Sequence, residues 1–165
     1  MEYLGNLDLL KLHKTAFLCS QKCPADVVLK SYSWAKEQRA AKNCIVCGNH
    51  SQIEKDVFDI LLRGNQPLIM VLPRGLKSLW SEDILKAIQS RRLLVVTPFK
   101  ENVKHVTLAT SQKCNETILS LTDQVVVGYA NLPFIACPSL PRFFEGRVER
   151  SGVLKFDILL FLLLI

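Results

Sequence analysis

The chain has 165 residues and a mass of 18.7 kDa, with 49% hydrophobic residues, which is enough to bury one core and argues against a disordered protein. Its 21 Lys and Arg exceed its 15 Asp and Glu, and the formal charge of +6 favours anionic partners without by itself establishing nucleic-acid binding. Residues 1–130 carry 17 basic and 12 acidic side chains, so nearly all of that excess precedes the last segment.

The first residues, Met1–Leu12, contain Glu2 and Asp8 and no long apolar core, unlike a secretory leader, so the expected location is cytoplasmic. Six cysteines stand at positions 19, 23, 44, 47, 114 and 137, several of them inside apolar runs. In a reduced domain of this size they are expected to be small buried hydrophobes rather than disulfides. The spacings Cys19-x3-Cys23 and Cys44-x2-Cys47 invite a zinc reading. Cys44 and Cys47 bracket a predicted strand, however, and tetrahedral coordination needs all four thiolates together. Packing is the expected role, with no metal and no cofactor.

Thr15–Cys19 is a short apolar run ending in the polar turn Ser20–Lys22, and Pro24 suits the first turn of a helix running to Arg39. Cys44–Cys47 is the second apolar run, stopped by Gly48. Ser51-Gln-Ile-Glu54 has capping-box spacing, and the helix after it carries Ile53, Val57, Ile60 and Leu61 on one stripe. Gly64 and Pro67 end that helix, and Leu68–Leu72 reads as the third strand, followed by the turn Pro73–Leu76. Ser81 can cap Glu82–Gln89, and Leu93–Val96 is the fourth strand. A polar loop then leads to a helix near Lys104–Leu121, and Val125–Val127 is the fifth strand.

Apolar runs without alternation imply strands covered on both faces, and amphipathic helices between them imply right-handed β-α crossovers. The expected fold is α/β: a three-layer Rossmann-like sandwich with a largely parallel central sheet. Ligands of such sheets gather beyond the carboxyl ends of the strands. Residues 1–130 form the expected domain. Residues 131–165 form a tail interrupted by Pro133, Pro138 and Pro141 and ending in the apolar run Phe156–Ile165. That run is too short to span a bilayer, so it is expected to pack within the subunit or, in a homo-oligomer, between subunits, with no membrane partner.

The order of these turns resembles the Rossmann-like core of the DNA-processing protein A (DprA/Smf) family, within the wider group that includes lysine-decarboxylase-like nucleotide-processing proteins. Cys19-Ser20-Gln21 stands where the family has Gly-Ser-Arg, and Cys47–Glu54 follows its Ser-Gly-x-Ala-x-Gly-Ile-Asp with shifted glycines. Val71–Leu76 echoes its Val-Leu-x-x-Gly-Leu turn. Cys114–Asp123, with Val125–Val127 behind it, follows Arg-Asn-Arg-Ile-Ile-x-x-Leu-Ser-Asp. The likeness covers residues 13–130 and rests on motif order. It implies a domain that binds single-stranded DNA and assists recombination.

Three family arginines are replaced here, by Gln21, Cys114 and Glu116, which removes charge where phosphates would be held. Lys22, Lys55, Arg74, Lys77, Lys104 and Lys113 compensate only if the fold groups them. The Pro-Gly-Gly-x-Gly-Thr loop of the lysine-decarboxylase-like branch does not occur, nor does a dinucleotide-type Gly-x-Gly-x-x-Gly. Candidate ligand-binding residues are Ser20, Gln21, Lys22, Gly48, Asn49, His50, Ser51, Gln52, Arg74, Gly75, Lys113 and Asn115, with no catalytic residue among them. The function these readings favour is non-catalytic binding of a nucleotide or of single-stranded nucleic acid. A nucleotide sensor or hydrolase and an oligomeric interaction scaffold are the alternatives.

Overall fold

A computed structural model of the chain describes residues 1–48 and 50–129, together with the backbone of residues 147–148 and 154–157. The described strands are β1 (Glu2–Gly5), β2 (Lys14–Cys19), β3 (Cys44–Cys47), β4 (Leu68–Val71), β5 (Leu93–Thr97), β6 (Gln124–Tyr129), β7 (Arg147–Val148) and β8 (Leu154–Asp157). The α-helices are α1 (Ala25–Ala41), α2 (Gln52–Leu62), α3 (Glu82–Gln89) and α4 (Leu108–Leu121), and a 3-10 helix spans Leu7–Lys11. The strands form one sheet in the order β1-β5-β4-β3-β2-β6-β8-β7. Neighbours from β5 through β6 run parallel, while β1, β7 and β8 are antiparallel to their partners. The fold is therefore mixed α/β and Rossmann-like, with a largely parallel sheet flanked by helices.

Both faces of the parallel strands are dry, as their unbroken apolar runs require. Phe17, Cys19, Ile45, Cys47, Leu68, Met70, Leu93 and Val95 meet Trp34, Ala35, Val57, Phe58, Leu61 and Ala87 of α1, α2 and α3. The alternate residues Ala16, Leu18, Val46, Ile69, Val71, Leu94 and Val96 meet Cys114 and Ile118 of α4 and Leu9 of the 3-10 helix. Phe17 and Trp34 stack with ring centroids 5.0 Å apart, tying α1 to the central strand.

Each of the five expected strands and four expected helices is present, with shifted ends. The last helix starts at Leu108 rather than near Lys104, because Thr107 and Thr110 cap it reciprocally through side chain and backbone. Strand β1 is an addition to the expected set. Gly5, at φ 111°, lets it lie against β5, since a Cβ there would sit 2.3 Å from the Leu93 carbonyl oxygen. Of the tail, β8 pairs with β6 between Leu154–Asp157 and Gln124–Val127. The rest of the expected 131–165 segment, apart from β7, lies outside the described residues.

Candidate functional site

Moving from β2 to β5 the chain steps one way across the sheet, and α4 then returns it to the far side of β2. The direction of winding thus reverses at β2, between β3 and β6, and the carboxyl ends there are where ligands of open α/β sheets collect. Two clusters occupy this edge.

The first cluster is built round Glu54. Ser51 caps α2, its Oγ accepting from the Glu54 N–H at 3.1 Å. The Glu54 carboxylate, fully buried, turns inward and accepts from the Cys19 N–H at 3.1 Å, joining the end of β2 to the start of α2. His50 Nδ1 lies 3.4 Å from the other carboxylate oxygen. Burial is the largest influence on the Glu54 carboxyl and pushes it above its ordinary value, opposed by His50 and by the backbone N–H groups of Cys19, Ser51 and His50. Gly48 roofs the pair: a Cβ there would come within 2.7 Å of Glu54 Oε2 and 3.1 Å of the His50 ring. An internal carboxyl group therefore already serves the start of α2, the place where a helix would otherwise attract an external phosphate.

The second cluster lies beyond β4 and β5. A cavity of about 410 Å³ is lined by Arg74, Lys77, Leu79, Glu101 and Lys104, among others. Its walls are two loops stitched together by backbone bonds. Gly75 N–H donates to the Val103 carbonyl at 2.9 Å, and Thr97 Oγ1 donates to the Arg74 carbonyl at 2.7 Å while accepting from the Phe99 N–H at 3.0 Å. Gly75 is required, since a Cβ would stand 2.4 Å from the Lys100 carbonyl oxygen. Lys77 Nζ sits 5.6 Å from the centre of the Trp80 ring. Its ammonium is held below the ordinary lysine value, first by burial and then by the charges of Arg74 and Lys55. Three cations, Arg74, Lys77 and Lys104, and one carboxylate, Glu101, line the cavity, and Lys55 is close enough to act on the Lys77 ammonium.

The remaining candidates are placed as follows. Ser20 is buried and its N–H donates to the Tyr129 carbonyl at 2.9 Å, whereas Gln21 and Lys22 are exposed on the turn beyond β2. Gln52 is exposed, its amide donating to Asp56 Oδ1 at 2.8 Å, and Asn49 lies outside the described residues. Lys113 forms an exposed pair with Glu116 at 3.0 Å. Asn115 is buried in α4, and its Oδ1 has no hydrogen-bond partner among the described residues. Its neighbour Cys114 donates from its thiol to the Val71 carbonyl at the end of β4, 3.4 Å away, which fixes this part of α4 against the same sheet edge.

The structure therefore brings Arg74 and Gly75 together with Lys77 and Lys104, with Lys55 near Lys77, whereas Lys22 lies on the turn beyond β2 and Lys113 pairs with Glu116. His50 and Ser51 gather round Glu54, Ser20 bonds to the Tyr129 carbonyl, and Gln52 and Lys113 spend their polar groups on local pairs. Leu79 and Glu101 were not among the sequence candidates. Glycine at 75 marked a turn, but nothing in the sequence revealed that the loop carrying Val103 closes over it. Among the described residues, no three His, Cys, Asp or Glu side chains converge where a metal ion could be held.

No protein-family model matches the chain, and no curated protein matches it. Solved structures do match, and the likeness is to the α/β architecture of part of DNA processing protein A. The chain resembles DNA processing protein A of Helicobacter pylori, described with its single-stranded DNA binding mode, at 19% identity and a TM-score of 0.61, covering 79% of this chain and 60% of that one. It also resembles DNA processing protein A (DprA) of Streptococcus pneumoniae at 23% identity and a TM-score of 0.64, covering 79% of this chain and 46% of that one. The chain thus spans less than two thirds of either protein, and at these identities the likeness is one of fold.

Proposed function

We propose that the chain is a non-catalytic domain that binds single-stranded nucleic acid through the carboxyl edge of its parallel sheet, with phosphates held in the cleft of Arg74, Lys77 and Lys104. The observation that carries this reading is the convergence of those cations, with Lys55 nearby, on one cavity beside the exposed Leu79 and the Trp80 ring. Cations bind the phosphodiester backbone, and an adjoining apolar surface accommodates unstacked bases. The fold shared with two DNA processing proteins supports the same class of ligand. The start of α2 contributes little to this binding, because Glu54 fills it from within.

Titration of a fluorescently labelled single-stranded oligonucleotide tests the reading. Binding should weaken steeply with salt, and the Arg74→Ala/Lys104→Ala double variant should lose about tenfold in affinity and lower the salt slope by about 1.4, roughly 0.7 for each lost phosphate contact. Absence of binding by the parent chain at low salt defeats the proposal. The cavity volume favours a second reading, a free nucleotide, since about 410 Å³ falls within the size range of small-ligand sites. A mononucleotide that raises the melting temperature, with no oligonucleotide binding, selects that reading instead. Self-association in the cytoplasm through the apolar C-terminal run belongs to the same proposal and is read from the solution mass of the full chain.

A further inference from the structure

The cleft beyond β4 and β5 is closed at one end. Its walls, the loop after β4 and the loop after β5, meet at Gly75, whose N–H donates to the Val103 carbonyl at 2.9 Å. They touch so closely there that a Cβ on Gly75 would stand 2.4 Å from the Lys100 carbonyl oxygen. A chain lying between the walls cannot run on past that junction. The enclosed space, about 410 Å³, suits one nucleotide rather than a length of strand.

The charges lining this space are unmatched. Arg74 and Lys77 are half-buried, while Lys104 and Glu101 are exposed. Among the described residues, Glu101 forms an ion pair with none of the three cations, although it lines the same cleft. Three cations and one carboxylate leave the lining with a net charge of +2. Burial, and then the charges of Arg74 and Lys55, hold the Lys77 ammonium below the ordinary lysine value, as befits cations crowded without a counter-ion.

We propose that the cleft recognises the end of a strand, seating a terminal phosphomonoester against Arg74 and Lys77 with Lys104 completing the shell from the facing loop. This recognition rests on the strand-binding function proposed above and names the part of the strand that the cleft takes. An internal phosphodiester carries one negative charge, offers two free oxygens and needs a path for the sugar on either side. A terminal monoester carries close to two negative charges at neutral pH, because its second proton leaves near about pH 6, and it offers three free oxygens. It continues into the strand on one side only. The monoester therefore matches both the net charge and the closed end, whereas the diester leaves one positive charge unmatched and runs into the joined loops. The planar guanidinium of Arg74 suits two of the three oxygens, and Lys77 supplies a point charge to the third.

The full chain is titrated with three oligonucleotides of one sequence and one internal fluorophore, bearing a 5′-phosphate, a 3′-phosphate or a hydroxyl at both ends. At about pH 7.5 and low salt, a phosphorylated strand should bind about tenfold tighter than the hydroxyl strand. Taken as a ratio of affinities, that advantage should shrink to about threefold at about pH 5.5, as the monoester takes up its second proton. Arg74→Ala/Lys77→Ala should abolish the advantage. Lys104→Ala, at an exposed position where the fold is not disturbed, should lower it about threefold. An advantage for one phosphorylated strand alone supports the proposal and assigns the end, and an advantage for both supports it at either end. Equal affinity for all three strands overturns end recognition and leaves the strand-binding function standing. An advantage unchanged at about pH 5.5, or unchanged in both variants, overturns the assignment of a monoester to this cleft. Failure of every strand to bind overturns the function and end recognition together.

Discussion

Strand β2 is held at each end by a carboxylate, and the two carboxylates live in opposite electrostatic worlds. At the amino end, Asp123 accepts from the Lys14 N–H at 2.7 Å and lies 3.3 Å from the Lys14 ammonium and 3.8 Å from His13 Nδ1. At the carboxyl end, Glu54 accepts from the Cys19 N–H with His50 as its ionic neighbour. Burial is the largest influence on both and raises both, but the hydrogen bonds and charge of Lys14 outweigh it at Asp123, which ends below its ordinary value. At Glu54 burial wins. The same tether thus costs little at the amino edge of the sheet and is electrostatically unfavourable at the carboxyl edge, where the proposed ligand would sit.

The largest expected effect comes from removing the strained tether. Glu54→Ala leaves the Cys19 N–H and the start of α2 without their internal acceptor, and the denaturant midpoint should report a loss of about 3 kcal/mol. Glu54→Gln separates charge from shape. Because the folded state holds the Glu54 proton more tightly than the unfolded chain, this carboxyl favours folding most below its unfolded value and progressively less as pH rises toward its folded value. Parent stability should therefore fall relative to that of Glu54→Gln as pH rises through and above the ordinary glutamate range. A difference that stays flat or grows in the other direction would show that burial does not dominate at Glu54.

The relaxed tether gives the opposite slope. Asp123 is depressed, so its contribution is fully present above the ordinary aspartate value and is lost as pH falls through the lower, folded value. Asp123→Asn should cost about 1 kcal/mol at neutral pH, since the amide oxygen still accepts from Lys14 N–H but the charge attraction is gone. The deficit should shrink toward zero in acid. Equal deficits at neutral and acid pH would mean that hydrogen-bond geometry, not charge, is what Asp123 supplies.

The two edges also differ in how far their sequence declared them. Strands such as Cys44–Cys47 and Leu93–Thr97 announce themselves, because strands buried on both faces need uninterrupted apolar runs and short runs between amphipathic helices leave few alternatives. Strand β1 gave no such sign. Four residues with alternating half-buried and exposed positions carry little pattern, and the strand exists because Gly5 permits close approach to β5. At the carboxyl edge the residue types were legible but their partners were not. The Ser51–Glu54 spacing revealed a cap, yet the long reach of Glu54 to Cys19 depends on which strand lies beside α2. Arg74, Lys77 and Lys104 become one cleft only through the Thr97 and Gly75 bonds between loops separated in sequence. Three-dimensional neighbours of this kind leave no local periodicity.

The smallest expected effect concerns Lys113, where local pattern and fold give different answers. Glu116 stands where the motif this stretch resembles has an arginine, and the structure shows what it does: it pairs with Lys113 across one turn, with side chains 38% and 58% exposed. An exposed pair three residues apart is weak, so Glu116→Gln should change stability by no more than about 0.5 kcal/mol. Its use lies in the comparison with the cleft. If Lys113 is spent on Glu116 and stands apart from the phosphate-binding surface, releasing it leaves oligonucleotide affinity within about twofold of the parent, while removing the negative charge at Glu101 by Glu101→Gln strengthens binding. A larger gain from Glu116→Gln than from Glu101→Gln would move the centre of the interface from the Arg74 cleft to α4.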